Sequence, residues 1–384
     1  MPKPTLSSHP HLILNGRVYD YAELMADSAP HETLELSENA AATLRFCRQW
    51  LSGQDEFVVN TSGSTGAPKP ITLQRQQMET SARATGQALG LQAGQRALIC
   101  LPTRYIAGRM MLVRGFVLGL QMTVVEPSSN PLAELPIDAQ FDFTALVPLQ
   151  LQTILDAPPA YGAILDRMQA ILIGGGPVSM ALHQQLQRIH APIYHTYGMT
   201  ETVTHIALRR LNGLPAADAF TPLPGVKLGL DERGCLTLCG PVTLHQMVVT
   251  NDHVALDADG SFVWLGRLDN VINSGGVKVQ VEKVENALAQ VLFERGDADL
   301  ARRRFFVGAV PDERLGQMVA VIMEGAPLGK QMEDALKVAL KHKLDPFEIP
   351  RRYLYMQELC ETPTGKIDRP QSLAQITDKF AGSA

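Results

Sequence analysis

Several clusters in this 384-residue chain carry side chains whose types and spacing suit phosphate and metal chemistry. The first is Thr61-Ser62-Gly63-Ser64-Thr65-Gly66-Ala67-Pro68-Lys69, directly after the apolar run Phe57-Val58-Val59, which reads as a buried strand. Glycines, hydroxyls and a lysine packed this closely give a loop rich in backbone N–H donors. Such a loop can wrap the oxygens of a phosphate chain, with Lys69 adding positive charge. A Ser/Gly surface turn is the plain alternative, and the spacing is wrong for the Walker loop, Gly-x-x-x-x-Gly-Lys-Ser/Thr. The second cluster, Tyr197-Gly198-Met199-Thr200-Glu201, follows the strand-like Ile193-Tyr194-His195. It offers a flat ring, a hydroxyl for a phosphate oxygen and a hard carboxylate suited to Mg²⁺. Asp252, in Thr250-Asn251-Asp252, presents two acceptor oxygens of the kind a vicinal diol needs, though an ordinary turn aspartate fits too. Further on come Gly266-Arg267-Leu268-Asp269-Asn270-Val271-Ile272 and Pro363-Thr364-Gly365-Lys366-Ile367-Asp368-Arg369. A salt-bridged turn and a solvated lysine are the plain readings of these two.

The elements that must hold these clusters follow from periodicity. Strand-like runs at 97–101, 122–125, 143–147 and 170–173 alternate with helical patterns such as 74–89 and 108–119. That alternation predicts a mainly parallel sheet covered on both faces, with ligands beyond the carboxyl ends of its strands. The run 170–173 ends in Gly174-Gly175-Gly176-Pro177, and Ser179 is placed to cap the next helix. Upstream, 11–14 and 17–21 read as a hairpin and 40–51 as a helix. From 222 to about 265 the residues alternate between turn signals, predicting an antiparallel sheet or small barrel. Beyond Arg267–Asn270, helical faces at 281–291 and 332–340 and strands at 304–310, 318–323 and 352–356 predict a compact α+β unit. The expected fold class is thus a large α/β N-terminal domain, residues 1–268, with a small β-rich part. A small, mobile α+β C-terminal domain, 269–384, follows it.

Composition narrows the class. The chain is 45% hydrophobic and 19% charged with net charge −5, an ordinary globular balance that argues against a nucleic-acid surface. No apolar run reaches the length of a membrane span. Five scattered cysteines, of which Cys235 and Cys239 alone are spaced like half a metal site, suit a reducing cytoplasm.

In their order along the chain, these motifs resemble those of the adenylate-forming superfamily of acyl-CoA synthetases, luciferases and peptide-synthetase adenylation domains. The resemblance runs from about residue 57 onward. It implies ATP, Mg²⁺ and coenzyme A as reactants, a small carboxylic acid as substrate, and a two-step reaction through an acyl-adenylate. It assigns Thr61, Ser62, Gly63, Ser64, Thr65, Gly66 and Lys69 to the phosphates, and Gly174, Gly175, Gly176, Tyr197, Gly198 and Met199 to the adenine side. Thr200 meets phosphate, Glu201 the metal, Asp252 the ribose hydroxyls and Arg267 ribose or phosphate. Asp269 becomes a hinge, Ser274, Gly275 and Gly276 line a thiol tunnel, and Lys366 neutralises charge during adenylation. Departures are Pro70 and Asn251 where the family has glycine. Leu101-Pro102-Thr103-Arg104-Tyr105-Ile106-Ala107-Gly108 carries Tyr105 where the family has histidine, and Arg109 and Arg114 follow it. A second carboxylate on the acid would want such a cation, so Tyr105, Arg109, Arg114 and His205 are the candidate substrate contacts. Within the family, the stretches 265–276 and 280–285, Thr204-His205 and Arg114 resemble the subgroup of ligases acting on o-succinylbenzoate in menaquinone biosynthesis. Another aryl or short-chain acid, delivery to a carrier-protein thiol, and a non-catalytic nucleotide-binding protein stay open as alternatives. The resemblance also allows a homodimer, as in many members, although no stretch identifies an interface.

Overall fold

A computed structural model describes residues 11–25, 36–60, 70–213, 218–362 and 367–381. Its largest sheet has nine strands. In spatial order they are Thr221–Pro222, His205–Arg210, Ile193–Gly198, Ala170–Ile173, Phe143–Leu146, Arg96–Ile99, Gln121–Val124, Leu12–Leu14 and Arg17–Tyr19. Every pairing from Ile193–Gly198 across to Leu12–Leu14 is parallel, and the strands beyond at either edge are antiparallel. The interior strands are apolar on both faces because helices cover both. Ala97 and Ile99 join one core cluster while Leu98 joins the other, and Leu172 and Ile171 divide the same way. Ser179 caps the helix Met180–Leu186, its side chain accepting from Leu182 N at 3.1 Å.

The strand ahead of the 61–69 loop differs from expectation. Among the described residues, Glu56–Asn60 pairs only with Pro70–Gln74, as a two-stranded antiparallel pair outside the main sheet. Phe57 and Val59 are buried but Val58 is 58% exposed, so this strand is covered on one face only. The apolar triplet could not show that no second strand among the described residues flanks it. The Phe57 ring anchors the hairpin, 5.4 Å from Phe46 and 5.5 Å from Trp50.

Lys227–Leu230, Cys235–Cys239, Val248–Leu256 and Phe262–Arg267 form a four-stranded antiparallel sheet. Pro222, the first residue of that alternating stretch, instead edges the large sheet in the strand Thr221–Pro222. The remaining sheet has five strands, Val271–Ser274, Val277–Gln280, Phe305–Asp312, Gly316–Glu324 and Arg352–Met356. Val281, Val284, Leu288 and Val291 bury one face of the helix Val281–Glu294 against it. Arg302 reaches back across this part of the molecule to Asp156, 3.2 Å away, at the end of the helix Pro148–Asp156.

Candidate active site

The carboxyl ends of Ala170–Ile173 and Ile193–Gly198 lie side by side, and the turn Gly174–Gly176 sits over the second strand. A Cβ on Gly174 would lie 2.5 Å from Thr196 Oγ1, and Gly175 has φ +84°, so both positions require glycine. The Thr196 hydroxyl donates to Ile173 O at 3.1 Å. On the opposite face of the same strand, His195 Nε2 lies 3.4 Å from the Gly176 carbonyl, which can only accept, so Nε2 carries the ring proton. Nδ1 is then free to accept from Arg209 Nη2 at 3.3 Å. Burial and the Arg209 charge push the His195 imidazole down to about 4.

Two residues on, Tyr197 shares that face. Its ring packs edge-on against Phe262 at 5.0 Å and tilted against Phe220 at 5.8 Å. Its hydroxyl donates to Asp252 Oδ2 at 2.6 Å, while Trp264 Nε1 donates to Asp252 Oδ1 at 3.0 Å. Burial and the carboxylate together raise the Tyr197 phenol, so it stays a donor. Each Asp252 oxygen keeps a further lone-pair direction for a ligand hydroxyl. Asp252 stands opposite Arg267 in the antiparallel register. The Arg267 guanidinium grips Asp269 with two contacts, 2.8 and 2.6 Å, which hold the Asp269 carboxyl below its ordinary range.

Beyond Gly198 the chain makes one turn of 3₁₀ helix, Thr200–Thr202. Glu201 is exposed there and makes no hydrogen bond to the described residues, leaving a carboxylate with the chemistry to hold Mg²⁺. Val203 follows at φ +67°, ψ −59°, with Thr204 N donating to Thr202 O at 2.7 Å. This is a γ-turn about a buried β-branched residue, a strained link between Glu201 and His205.

Arg109 and Arg114 stand in one helix, Ile106–Leu118, but in different surroundings. Arg109 Nε donates to Thr103 O at 3.2 Å and Nη1 to Val58 O at 2.9 Å, so its guanidinium is committed to backbone carbonyls. Arg114 is 2% exposed with no carboxylate partner among the described residues. Nη2 lies 3.4 Å from His205 Nδ1, Nη1 lies 3.6 Å from Met111 Sδ, and Nε has no partner among the described residues. Burial alone pushes this guanidinium down to about 9, the mark of a cation lacking its anion. His205 has its other nitrogen, Nε2, 3.1 Å from Thr85 Oγ1. Tyr105 is half-buried at the start of that helix, with the Arg104 guanidinium 4.9 Å from its ring centre.

Ser274, Gly275 and Gly276 lie at the tip of the hairpin joining Val271–Ser274 to Val277–Gln280. Gly275 (φ +61°) and Gly276 (φ +83°) give a tight two-residue turn, and Gly275 N donates to Leu315 O at 3.0 Å. Thr61, Ser62, Gly63, Ser64, Thr65, Gly66, Lys69 and Lys366 lie outside the described residues. The structure therefore brings together Tyr197, Asp252 and Arg267 in one cluster and Arg114 with His205 in another. Sequence reading missed Trp264, Thr85, His195 and Arg209. Only Trp264 carried a signal, since a strand tryptophan that buries its ring needs a partner for its N–H.

The model of the AMP-binding enzyme family matches residues 17–237. A probable 2-succinylbenzoate–CoA ligase of Mycobacterium tuberculosis is 31% identical over 351 residues, covering 85% of this chain and 85% of its own. The 2-succinylbenzoate–CoA ligase of Lactococcus lactis is 25% identical over 94% of this chain and 84% of its own. Among solved structures, an acyl-CoA synthetase (AMP-forming)/AMP-acid ligase II-like protein from Dyadobacter fermentans is 43% identical. It covers 88% of this chain and 95% of its own, with TM-score 0.59. The o-succinylbenzoate coenzyme A synthetase of Bacillus subtilis, solved with ATP and magnesium ion, shares the fold. It has TM-score 0.68 at 21% identity, over 82% of this chain and 69% of its own.

Proposed function

The chain belongs to the AMP-binding enzyme family, and on that premise we propose that it is an AMP-forming acid–thiol ligase acting on o-succinylbenzoate. The carrying observation is Arg114, a buried guanidinium with no carboxylate partner among the described residues. The acid has two carboxylates, and adenylation masks one of them. The other needs a cation inside the protein, and the names of the relatives agree with that acid.

The aliphatic carboxylate attacks the α-phosphate of ATP, releasing pyrophosphate and leaving an acyl-adenylate. Coenzyme A thiolate then displaces AMP. We assign the Gly174–Gly176 turn and Tyr197, Gly198 and Met199 to the adenine side, Asp252 to the ribose hydroxyls and Arg267 to ribose or phosphate. Thr61–Gly66 and Lys69 take the outer phosphates, Thr200 meets a phosphate oxygen, and Glu201 would hold a Mg²⁺ that would neutralise phosphate charge. Lys366 bridges the acid carboxylate and the α-phosphate. Residues 1–268 and 269–384 act as two domains turning about Asp269 between the steps, with Ser274, Gly275 and Gly276 along the thiol's path. Its ATP and coenzyme A place the reaction in the cytoplasm. The protein's part is positioning and charge neutralisation more than covalent chemistry.

The test is pyrophosphate release from Mg·ATP with o-succinylbenzoate, benzoate, coumarate and medium-chain fatty acids, each with and without coenzyme A. Strong turnover with o-succinylbenzoate alone supports the reading. Preference for another acid keeps the chemistry and removes this substrate.

A further inference from the structure

Arg114 is held from behind by groups that the reaction does not itself use. Thr85 is fully buried inside the helix Arg75–Leu89, and its hydroxyl donates to Ser81 O at 2.9 Å. With its single hydrogen committed, Thr85 Oγ1 can meet His205 Nε2, 3.1 Å away, only as an acceptor. His205 Nε2 therefore carries the ring proton, and Nδ1 is bare. A bare Nδ1 can accept from Arg114 Nη2 at 3.4 Å, whereas a protonated one would set donor against donor. Donor inventory thus fixes the direction of the whole chain, from Arg114 to His205 to Thr85 to Ser81 O. Burial and the Arg114 charge also keep His205 neutral.

We propose that Thr85 and His205 are positioning residues that hold the Arg114 guanidinium and leave its Nε–H, unpartnered among the described residues, for the acid's second carboxylate. Selectivity for a dicarboxylic acid then depends on a helix threonine that never touches the acid. The inference rests on the substrate reading above. Without the anchor, Arg114 regains rotamer freedom that binding must remove again.

The experiment compares Thr85→Val with Thr85→Ser, using o-succinylbenzoate and benzoylpropionate, the same acid without its ring carboxylate. Thr85→Val is expected to raise KM for o-succinylbenzoate about tenfold. The values of kcat, KM for ATP and KM for benzoylpropionate should stay within about twofold, and Thr85→Ser should restore the selectivity. Histidine-ring ¹⁵N NMR, with the His205 signals assigned by their loss in His205→Gln, should show the His205 imidazole protonated at Nε2 and bare at Nδ1, as His195 also is. Equal losses for both acids, no rescue by serine, or an Nδ1–H form of His205 would overturn the proposal. Failure of the substrate reading looks different: the wild type would not prefer o-succinylbenzoate over benzoylpropionate, or Arg114→Met would leave the preference intact. Loss of preference in Arg114→Met with none in Thr85→Val defeats the relay alone.

Discussion

Two arginines five positions apart on one helix illustrate how far neighbours fix a side chain's role. Arg109 donates from Nε to Thr103 O and from Nη1 to Val58 O, just ahead of the 61–69 loop. Arg114 faces His205 and Met111, and its Nε has no partner among the described residues. Arg109→Met should therefore raise KM for ATP and lower the melting temperature while KM for the acid stays within about twofold. Arg114→Lys keeps the charge but loses the planar fork, and should raise KM for o-succinylbenzoate by roughly ten- to hundredfold with little change for ATP. Steady-state kinetics with each reactant varied separates the two. The residue types announced both arginines in the sequence. The difference between them was not legible, because it depends on a hydrogen bond from His205 to Thr85 across 120 positions.

Two histidines shielded from solvent, half-buried His195 and buried His205, also set a pH dependence. His195 is pushed from 6.5 to about 4, and His205 is lowered well below 6.5. Below pH 6.5 the unfolded chain takes up protons at these rings that the folded chain refuses. Stability from them is thus complete above that pH and falls toward about pH 4. Denaturant melts at about pH 7.5 and about pH 5 should show the loss, and His195→Asn should make the decline shallower. An unchanged slope would mean that His195 titrates normally in the folded protein.

At the scale of elements, Gly108 sets the helix that carries both arginines. A Cβ there would sit 2.5 Å from Pro102 O and 2.6 Å from Leu101 O, backbone atoms that cannot swing aside. Gly108→Ala should cost about 1–3 kcal/mol by thermal or denaturant melting, and raise KM for the acid because the helix start is displaced. The same substitution at Gly53, where nothing lies within 4 Å, lacks that clash, although its φ of +85° still strains it. Parallel strands such as Ala170–Ile173 were legible because burial on both faces makes them continuously apolar. Glu56–Asn60 was misread as buried because a short apolar run does not reveal what covers its other face. His205–Arg210, mixed in polarity at the sheet's antiparallel end, carried no period to recognise. The site showed the same limit. Tyr197 and Asp252 stood out by pattern, while Trp264 joined them only through the pairing of Val248–Leu256 with Phe262–Arg267.

At the scale of the molecule, the chain passes from Phe262–Arg267 to Val271–Ser274 through a turn held by polar contacts. Arg267 grips Asp269, Leu268 N donates to Asn251 O at 2.8 Å, and Gln280 Nε2 donates to Arg267 O at 3.0 Å. A rotation about Asp269 would have to remake these bonds. Asp269→Ala should thus change the rate of thioester formation from preformed acyl-adenylate while pyrophosphate release stays within about threefold, as rapid-quench measurement of each half-reaction would show. The central claim concerns the acid and the arginine that selects it. Its most direct test is the affinity of wild type and Arg114→Met for o-succinylbenzoate and for benzoylpropionate, read as acid-dependent pyrophosphate release from Mg·ATP. The account predicts a strong preference for o-succinylbenzoate in the wild type that collapses in the variant, with KM for ATP unchanged. Equal use of both acids by the wild type, or a preference that survives in the variant, would contradict it.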